Sequence, residues 1–257
     1  VDTLEGTFGA PLFQRHARGY ALTDAGRDMR EVASRADEMF ADLEGRAHGQ
    51  AGKVSGELVV TALAGVASLI MPAMRLFAET YPEIALTFAA SAELARLEYG
   101  EAHVALRAGP KPQEPDYVVI PYRYIRFGLY AHRNYVDRFG MPEGDQDFAR
   151  HRFVGSLDGS SRTPQGAWLK SLVPGAALAL RSGHQEVVRS AVSAGLGIGF
   201  LPETEIRPHL DLVEITAPRD DWSAPIWIVT HVDLHRTFKV REFVRCLKAM
   251  SEEVAPL

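Results

Sequence analysis

Apolar residues recur along this chain with two different spacings, and each spacing predicts one type of secondary structure. Short apolar runs, such as residues 58–60 and 104–106, predict buried strands. Segments whose apolar residues recur every three or four positions, such as residues 68–81 and 185–194, predict amphipathic helices. Beyond residue 53 the two patterns alternate, which predicts an α/β region with mainly parallel sheets.

The same spacings give the individual elements of this region. Strands are predicted at residues 57–62, 84–90, 104–106, 117–121, 126–131, 153–154, 177–180, 197–201, 212–215 and 226–230. Helices are predicted at residues 68–81, 92–99, 167–172, 185–194 and 237–250. The positions expected to face inward on two of the helices are Ile70, Met74, Phe77, Ala78 and Tyr81, and Val187, Val188, Ala191 and Val192.

The first 53 residues follow a different pattern. Leu4 and Phe8 are spaced as on one face of a short helix, which Gly9 can end. Residues 15–22 are rich in turn formers and predict a small hairpin with basic residues at its tip. Thr23 and Asp24 then suit the start of a long helix, since a threonine caps free amides and an acid favours the positive end of the helix dipole.

One narrow apolar seam runs along this long helix, and the other faces are charged. Its members recur at heptad-like spacing, and we expect them to form a dimer interface: Met29, Val32, Ala36, Phe40 and Leu43. The alternative is a surface helix that packs on its own domain. Glycines at 45, 49 and 52 predict a linker that ends the helix at Gly45.

Composition and charge limit the classes of function. The chain has 257 residues, 46% of them hydrophobic and 24% charged, which is ordinary for a globular protein. Its net charge of −5 means that any contact with DNA must be local. The single cysteine, Cys246, excludes an internal disulfide and predicts a buried thiol. Neither a bilayer-length apolar run nor an export signal is present, which predicts a cytoplasmic protein with no membrane partner. Because the first residue is Val, we expect the chain to start inside a longer one.

Catalytic signatures do not appear in the sequence. There is no serine nucleophile motif, no nucleotide-binding glycine pattern and no histidine pair at metal spacing, so we predict no enzyme activity, no catalytic residue, no metal and no cofactor. The glycine-rich run at residues 195–199 follows a predicted helix and enters a strand. This order is the reverse of the strand-to-helix order that phosphate binding requires.

Several segments, in a specific order, resemble the LysR-type transcriptional regulators. The N-terminal residues that carry the resemblance to the end of their helix-turn-helix and wing are Leu4-Glu5, Gly9, Pro11-Leu12-Phe13, Arg15, Arg18-Gly19, Leu22-Thr23 and Ala25-Gly26. Downstream, residues 69–82, 100–107 and 193–202 resemble the first helix, the third strand and a late helix-to-strand turn of their effector domain. The resemblance covers essentially the whole chain.

The resemblance implies a two-lobed, periplasmic-binding-protein-like α/β effector domain at residues 53–257. It is preceded by a linker helix and hinge at 24–52 and by the remnant of a winged helix-turn-helix at 1–23. Lobe I takes about 56–123 and 224–257, lobe II takes about 124–223, and the crossovers lie near 122–127 and 217–225. By resemblance, Arg15, His16 and Arg18 contact DNA, while the base-reading residues lie upstream. Arg15 and Arg18 balance Asp2 and Glu5, so we expect residues 1–23 alone to bind DNA poorly; the alternative is that both arginines are merely solvated.

The resemblance also implies a small-molecule site between the lobes. Two segments that precede helices are expected to line it, namely Leu63, Ala64, Gly65 and Val66, and Gly183, His184 and Gln185. Further candidates are Ser91, Arg107, Tyr124, Ser156 and Ser160. Free amides at helix starts favour anions, which predicts an anionic effector, although Glu186 would repel one. Arg107 could instead pair with Glu101, and His184 could simply lie on the surface.

The leading hypothesis is therefore a cytoplasmic LysR-type DNA-binding regulator. Its partners would be promoter DNA, a small-molecule effector and further copies of itself, as a dimer through the long helix and then a tetramer. A solute-binding protein that feeds a transporter would share the two-lobed architecture, and it is the first alternative. An enzyme on a similar two-lobed fold is the second.

Overall fold

The computed structural model describes residues 1–16, 19–47, 55–91, 96–97, 100–144, 146–155, 163–172, 178–206 and 211–252. The short helix predicted at 92–99 lies mostly outside these residues. No helix within the described ranges is both long enough and apolar enough to cross a membrane.

The N-terminal region contains two helices and a hairpin. Helix α1 (Asp2–Phe8) ends at Gly9, which adopts the left-handed conformation with φ 67°. Strands β1 (Phe13–His16) and β2 (Gly19–Leu22) pair antiparallel, and helix α2 (Asp24–Ala47) follows. The Thr23 hydroxyl accepts a hydrogen bond from the Gly26 amide at 3.0 Å. The predicted helix, hairpin and threonine cap are all confirmed.

Helix α2 continues past the position where the sequence predicted its end. The linker was expected to begin at Gly45, but the helix runs through this glycine to Ala47. A single glycine costs a helix only about 1 kcal/mol relative to alanine. Leu43, Glu44, Arg46 and Ala47 are all good helix formers, and they outweigh it.

Among the described residues beyond α2, eight strands form one sheet. The strands are β3 (Gly56–Ala62), β4 (Ile84–Ala90), β5 (Val104–Ala108), β6 (Tyr117–His132), β7 (Phe153–Gly155), β8 (Leu178–Arg181), β9 (Ile198–Pro202) and β10 (Leu212–His231). The helices are α3 (Ala67–Thr80), α4 (Arg133–Phe139), α5 (Pro164–Leu172), α6 (Gln185–Ser193), α7 (Val232–His235) and α8 (Phe238–Glu252). Short 3-10 turns lie at Ala64–Val66, Asp147–Arg150 and Glu203–Glu205. Across the sheet the strand order is β4-β3-β5-β10-β6-β9-β7-β8.

The sheet is mixed rather than mainly parallel. Strand β3 runs parallel to β4 and β5, and β7 runs parallel to β8 and β9. At the centre, β10 is antiparallel to both β5 and β6, and β6 is antiparallel to β9. The α/β prediction is confirmed, but the central strands overturn the expectation of mainly parallel sheets. These strands are antiparallel because β10 brings the chain back alongside β6.

Strands β6 and β10 pass through the region where the sequence predicted breaks. Residues 117–121 and 126–131 were expected to form separate strands, as were 212–215 and 226–230, yet each pair is one continuous strand. The two strands pair from Tyr117 opposite His231 to His132 opposite Leu212. Between Arg219 and Ala224, β10 takes five residue steps against two on β6, so the extra residues bulge outward while pairing continues.

Two groups of buried side chains divide this sheet into halves. In the first half, helices α3 and α8 pack on β3 and β5 around Leu58, Ile70, Phe77 and Phe243. In the second half, the buried residues include Leu129, Phe153, Val192 and Trp222. Phe127 of β6 packs against both groups.

Most of the predicted core positions are buried. These are Ile70, Met74 and Phe77 on α3, Val188, Ala191 and Val192 on α6, and Cys246 on α8. Two positions were predicted wrongly, because Ala78 is exposed and Val187 is 43% exposed. Each follows or precedes a buried neighbour on the same helix by one residue, and one residue is about 100° of rotation, which turns the side chain off the core face.

Candidate functional site

The structure brings three residues from separate elements together between the two halves. Gly65 lies in the 3-10 turn between β3 and α3, in the first half. A Cβ atom placed on Gly65 would lie 3.6 Å from Glu205 Oε1 and 3.8 Å from Gln185 Cγ, both in the second half. We call this group of Gly65, Gln185 and Glu205 the Gly65 contact. The sequence predicted Gly65 and Gln185 as site residues and missed Glu205.

The turn that holds Gly65 exposes some of its predicted residues and buries others. Leu63 and Ala64 are exposed, whereas the Val66 side chain lies in the core of the first half. The Val66 amide donates to the Leu63 carbonyl at 2.9 Å. The expectation of a free amide is therefore wrong for Val66, because the tight turn supplies its acceptor.

Helix α6 begins at the other side of the Gly65 contact. Its first residue, Gln185, donates from Nε2 to the Phe200 carbonyl at 2.9 Å, which fixes the side chain against β9. The His184 amide donates to Ser182 Oγ at 3.1 Å, and the His184 carbonyl accepts from the Val187 amide at 3.0 Å. Gly183 and His184 are exposed. Some backbone groups at this helix start thus already have partners.

Glu205 is a largely buried carboxylate. Its side chain is 14% exposed, and Arg189 Nε lies 3.8 Å from Oε2. Oε2 itself is buried and has no hydrogen-bond partner among the residues that the structure describes. Burial raises the pKa of Glu205, Arg189 opposes this shift, and Glu186 adds to it. No sequence motif marks Glu205, since it follows β9 in an ordinary polar turn.

The other predicted residues are not among those within 4 Å of the Gly65 Cβ position, and some lie outside the described chain. Arg107 is held with its guanidinium 5.3 Å from the Tyr117 ring and 3.7 Å from Glu114. The predicted alternative partner, Glu101, pairs with Arg96 at 2.6 Å instead. Ser91 is exposed after β4, and Tyr124 on β6 is 72% exposed. Ser156 and Ser160 lie outside the described residues.

Arg126 links three segments where the strands pass between the halves. From β6, its Nη1 lies 3.8 Å from Glu203 and its Nε lies 3.6 Å from Asp220 in the bulge of β10. Its Nη2 donates to the Pro218 carbonyl at 3.2 Å. A shift of the bulge relative to the turn at Glu203 must therefore rearrange this arginine. No sequence pattern marks Arg126.

The carbonyl of Phe200 accepts the hydrogen bond from Gln185, and the ring of the same residue packs against other aromatic rings. The Phe200 ring lies 4.8 Å from the ring of Trp222, which is buried in β10, and 5.6 Å from that of Trp168. Arg219 covers the outer side of Trp222 at 4.5 Å. Such edge-to-face contacts stabilise the packing around Phe200 and Trp222.

The residues predicted to bind DNA and to dimerise are described only in part. His16 is exposed at the end of β1, while Arg18 and the Arg15 side chain lie outside the described residues. In the predicted seam, Val32 is 53% and Phe40 is 65% exposed, and Met29 and Ala36 are half-buried. The Leu43 side chain is not described. The exposed apolar side chains are what a dimer seam requires, and the dimer remains a prediction.

A family model and several known proteins match the sequence of this chain. A family model described as the LysR substrate binding domain matches residues 51–252. The HTH-type transcriptional activator TtdR of Escherichia coli (strain K12) is 26% identical over 266 residues, covering 98% of this chain and 83% of TtdR. The HTH-type transcriptional regulator YhjC of the same organism is 26% identical over 220 residues, covering 82% of this chain and 72% of YhjC.

A solved structure is similar over the full length of the chain. CrgA, a LysR-type transcriptional regulator from Neisseria meningitidis, superimposes with a TM-score of 0.67 at 22% identity, covering 100% of this chain and 88% of CrgA. This likeness confirms the predicted two-lobed α/β fold.

Proposed function

This chain belongs to the family of LysR substrate binding domains, and we propose on that premise that it is a DNA-binding transcriptional regulator whose effector binds between the halves of the large sheet. The family match confirms the resemblance drawn from the sequence. Members of the family are transcriptional regulators and not enzymes. The alternative of a transporter's solute-binding protein is not favoured.

One observation carries the placement of the effector site. In the Gly65 contact, a Cβ placed on this glycine of the first half would reach van der Waals distance of two polar side chains of the second half. The absence of a side chain at Gly65 lets a ligand approach the backbone closely. The division into lobes at about 56–123 with 224–257 and at about 124–223 is part of the same proposal, as are the linker helix at 24–52 and the DNA-binding region at 1–23.

The proposed response to the effector is a change in how the halves sit together. An effector can shift this equilibrium only by binding one arrangement more tightly than the other. A ligand that touches both Gly65 and Gln185 meets this condition, since its contacts depend on their separation. Arg126 joins the turn at Glu203 to the bulge of β10 within the second half, beside the strands that pass between the halves.

Helix α2 connects this response to DNA in the proposed mechanism. Two copies pair through the seam of Met29, Val32, Ala36, Phe40 and Leu43, and dimers assemble further into a tetramer. Arg15, His16 and Arg18 contact the DNA backbone or minor groove. Promoter DNA, effector and self are thus the proposed partners. We infer further that the protein is cytoplasmic, contacts no membrane, needs no cofactor and performs no catalysis.

Groups that favour and groups that oppose an anionic effector both lie near the Gly65 contact. An anionic group would suit the amides at the start of α6. Glu186 in the first turn of that helix and Glu205 opposite Gly65 both oppose an anion. The residues offered as effector contacts remain Leu63, Ala64, Gly65, Val66, Ser91, Arg107, Tyr124, Ser156, Ser160, Gly183, His184 and Gln185.

Binding to promoter DNA tests the proposed function. The full-length protein is mixed with the region upstream of its own gene and with a shuffled fragment of the same length, over a series of salt concentrations. We expect the upstream region to bind more tightly, with an affinity that falls as salt rises. Equal binding to both fragments, or none, would contradict the proposal. Recovery of the chain from a periplasmic extract would favour a solute-binding protein instead.

A further inference from the structure

We propose that the two halves of the large sheet close directly on each other at Gly65, that this residue sets the limit of their closure, and that their separation alters the affinity for promoter DNA. The inference rests on the proposed function and deepens it, because a ligand reaches the Gly65 backbone only after the halves separate. Three features support it: the lack of space at the contact, the bonds that hold each side, and the strands that join the halves.

The first feature is the lack of space between the halves. A Cβ on Gly65 would already lie 3.6 Å from Glu205 Oε1 and 3.8 Å from Gln185 Cγ, which is ordinary van der Waals contact. A separate ligand atom must stay about 3.5 Å or more from the Gly65 backbone as well as from these side chains. No such atom fits between them, so the halves themselves fill this part of the cleft.

The second feature is that each side of the contact is held by its own half. On the first side, Gly65 lies in a 3-10 turn whose Val66 amide donates to the Leu63 carbonyl at 2.9 Å, and the Val66 side chain is buried in the core. On the second side, Gln185 donates to the Phe200 carbonyl at 2.9 Å. To make room at Gly65, either these bonds must break or one half must move against the other.

The third feature is that the crossing strands change their anchoring from one half to the other within a few residues. On β6, Ile125 is buried in the core of the first half, and the next residue, Arg126, donates to the Pro218 carbonyl of the second half at 3.2 Å. On β10, Trp222 is buried in the second half and Ile226 in the first. A hinge needs only a few residues that absorb the change in backbone angles. The residues before Ile226 adjoin a bulge that already departs from regular pairing, so the halves can rotate there.

A disulfide trap tests whether the halves meet at this point. In the Gly65→Cys/Gln185→Cys variant, one sulfur takes the place of Gln185 Cγ, close enough to the Cβ at position 65 to bond after a small shift. The native Cys246 is buried and stays out of the reaction.

Air oxidation is followed by mass spectrometry of the cross-linked peptide, in chains that remain monomeric under denaturing, non-reducing conditions. The matched control is Gly65→Cys/Ser190→Cys, since Ser190 is exposed on another face of α6. We expect the first pair to cross-link about tenfold faster or more, because only its members start in contact. Equal rates for the two pairs would overturn the proposal.

Two substitutions of different size at position 65 test the limit of closure. Gly65 is not in the left-handed conformation, so both variants should fold. Gly65→Ala adds a methyl that fits the contact and should leave the halves in place. Gly65→Ile adds three further carbons on a stiff, branched side chain and should force the halves apart.

The readout is amide hydrogen exchange at residues 222–226, none of which lies within 4 Å of the Gly65 Cβ position. We expect exchange there to rise about threefold or more in the isoleucine variant alone, because the strands that join the halves must bend. Equal exchange in the alanine and isoleucine variants would also overturn the proposal.

Promoter binding separates this inference from the proposed function. The oxidised and reduced forms of the Gly65→Cys/Gln185→Cys variant have the same sequence, and we expect their promoter affinities to differ about fivefold or more. If the unsubstituted protein selects its promoter but the two forms bind it equally, the regulator function stands and this inference fails. If the cross-link forms but no form of the protein recognises DNA, the closure at Gly65 stands and the regulator function fails.

Discussion

The turn around Leu12 is held by three residues, namely Glu5, Thr23 and Gly26. Glu5 Oε1 accepts hydrogen bonds from the Leu12 amide at 2.7 Å and the Phe13 amide at 3.0 Å. The Thr23 hydroxyl donates to the Pro11 carbonyl at 2.6 Å. A Cβ on Gly26 would lie only 1.9 Å from the Leu12 carbonyl oxygen. The N-terminal motif that carried the resemblance is thus a set of contacts between one turn and one helix start.

We expect Gly26→Ala to loosen this turn. The added methyl clashes with backbone, which cannot rotate away, so the local cost should be about 1–3 kcal/mol. Amide hydrogen exchange at Thr23, which donates to the Leu12 carbonyl at 3.0 Å, measures the opening. The matched control is Gly6→Ala, since Gly6 lies in α1 with nothing within 4 Å of its Cβ position. Unchanged protection at Thr23 in the Gly26 variant would show that the turn adapts.

His151 links acidity to stability in the second half. It is buried, with Nδ1 3.3 Å from the Tyr135 hydroxyl, which in turn accepts from the Arg152 amide at 2.9 Å. Burial lowers the pKa of His151 below its usual 6.5, against a smaller opposite effect of Asp147. The folded state thus binds the proton less readily than the unfolded state. The contribution of the neutral His151 to the free energy of unfolding is fully present above pH 6.5. It is lost as the pH falls through the lower pKa that His151 has in the folded protein.

His151→Gln should remove this part of the acid sensitivity. The free energy of unfolding, measured by chemical denaturation at pH 7.5 and at mildly acid pH, should fall less steeply in the variant than in the unsubstituted protein. The exposed His16→Gln serves as the control. If the free energy of unfolding fell equally in all three proteins, groups other than His151 would cause the loss of stability at acid pH.

The sequence could predict site residues only where a local pattern marks them. Gly65 and Gln185 flank predicted helix starts, so they were found. Glu205, Arg126 and Trp222 belong to the site region only because distant segments fold back on one another, and a single sequence contains no record of that proximity. Arg107 was predicted as a ligand contact from its position after an apolar run, but its neighbours Tyr117 and Glu114 come from the following segment.

At the scale of elements, Gly9 and Gly195 marked the ends of helices correctly, whereas Gly45 did not. Gly195, with φ 77°, follows helix α6 within two residues of its end, as expected. The next two glycines allow close packing, since a Cβ on Gly197 would lie 2.5 Å from the Arg152 carbonyl oxygen and one on Gly199 would lie 2.6 Å from Val192. The long strands β6 and β10 were missed because their polar and bulged middle segments lack the strand pattern, while pairing with each other keeps them extended.

At the scale of elements, we predict how a substitution in helix α2 affects dimerisation. Phe40→Asp should weaken the dimer, because pairing would bury a carboxylate in the apolar seam. Sedimentation or light scattering over a dilution series measures the change. Arg30→Gln alters the net charge by the same amount at an exposed position off the seam, and it should leave the dimer intact. A monomer before any substitution, or an unaffected dimer in the Phe40 variant, would place the interface elsewhere.

At the scale of the whole molecule, the net negative charge of the chain disfavours the proposed binding of DNA. The chain has a net charge of −5, so DNA must be attracted by a local group of basic residues against a repelling background. The proposed group is Arg15, His16 and Arg18. Binding that depends on few phosphate contacts responds strongly to the loss of any one of them.

Salt dependence measures the share of Arg15. In Arg15→Ala, we expect weaker promoter binding on all sequences alike, and a slope of log affinity against log salt that is smaller by about 1. Arg75→Ala, which removes an exposed arginine from α3, should change neither quantity. A slope that stays the same in the Arg15 variant would assign the phosphate contacts to other residues.

The path of the chain through β6 and β10 has a consequence for how such proteins diversify. Tyr124 lies opposite Pro225, so the chain leaves the first half and re-enters it at positions about 5 Å apart. The two ends of the segment between Tyr124 and Pro225 therefore lie side by side, so the segment could be exchanged as a unit. Recombination at those two ends would replace Gln185 and Glu205 together while retaining Gly65 and the N-terminal helices. Ligand preference could thus be exchanged between relatives in a single genetic event, with the DNA-binding end left as it was.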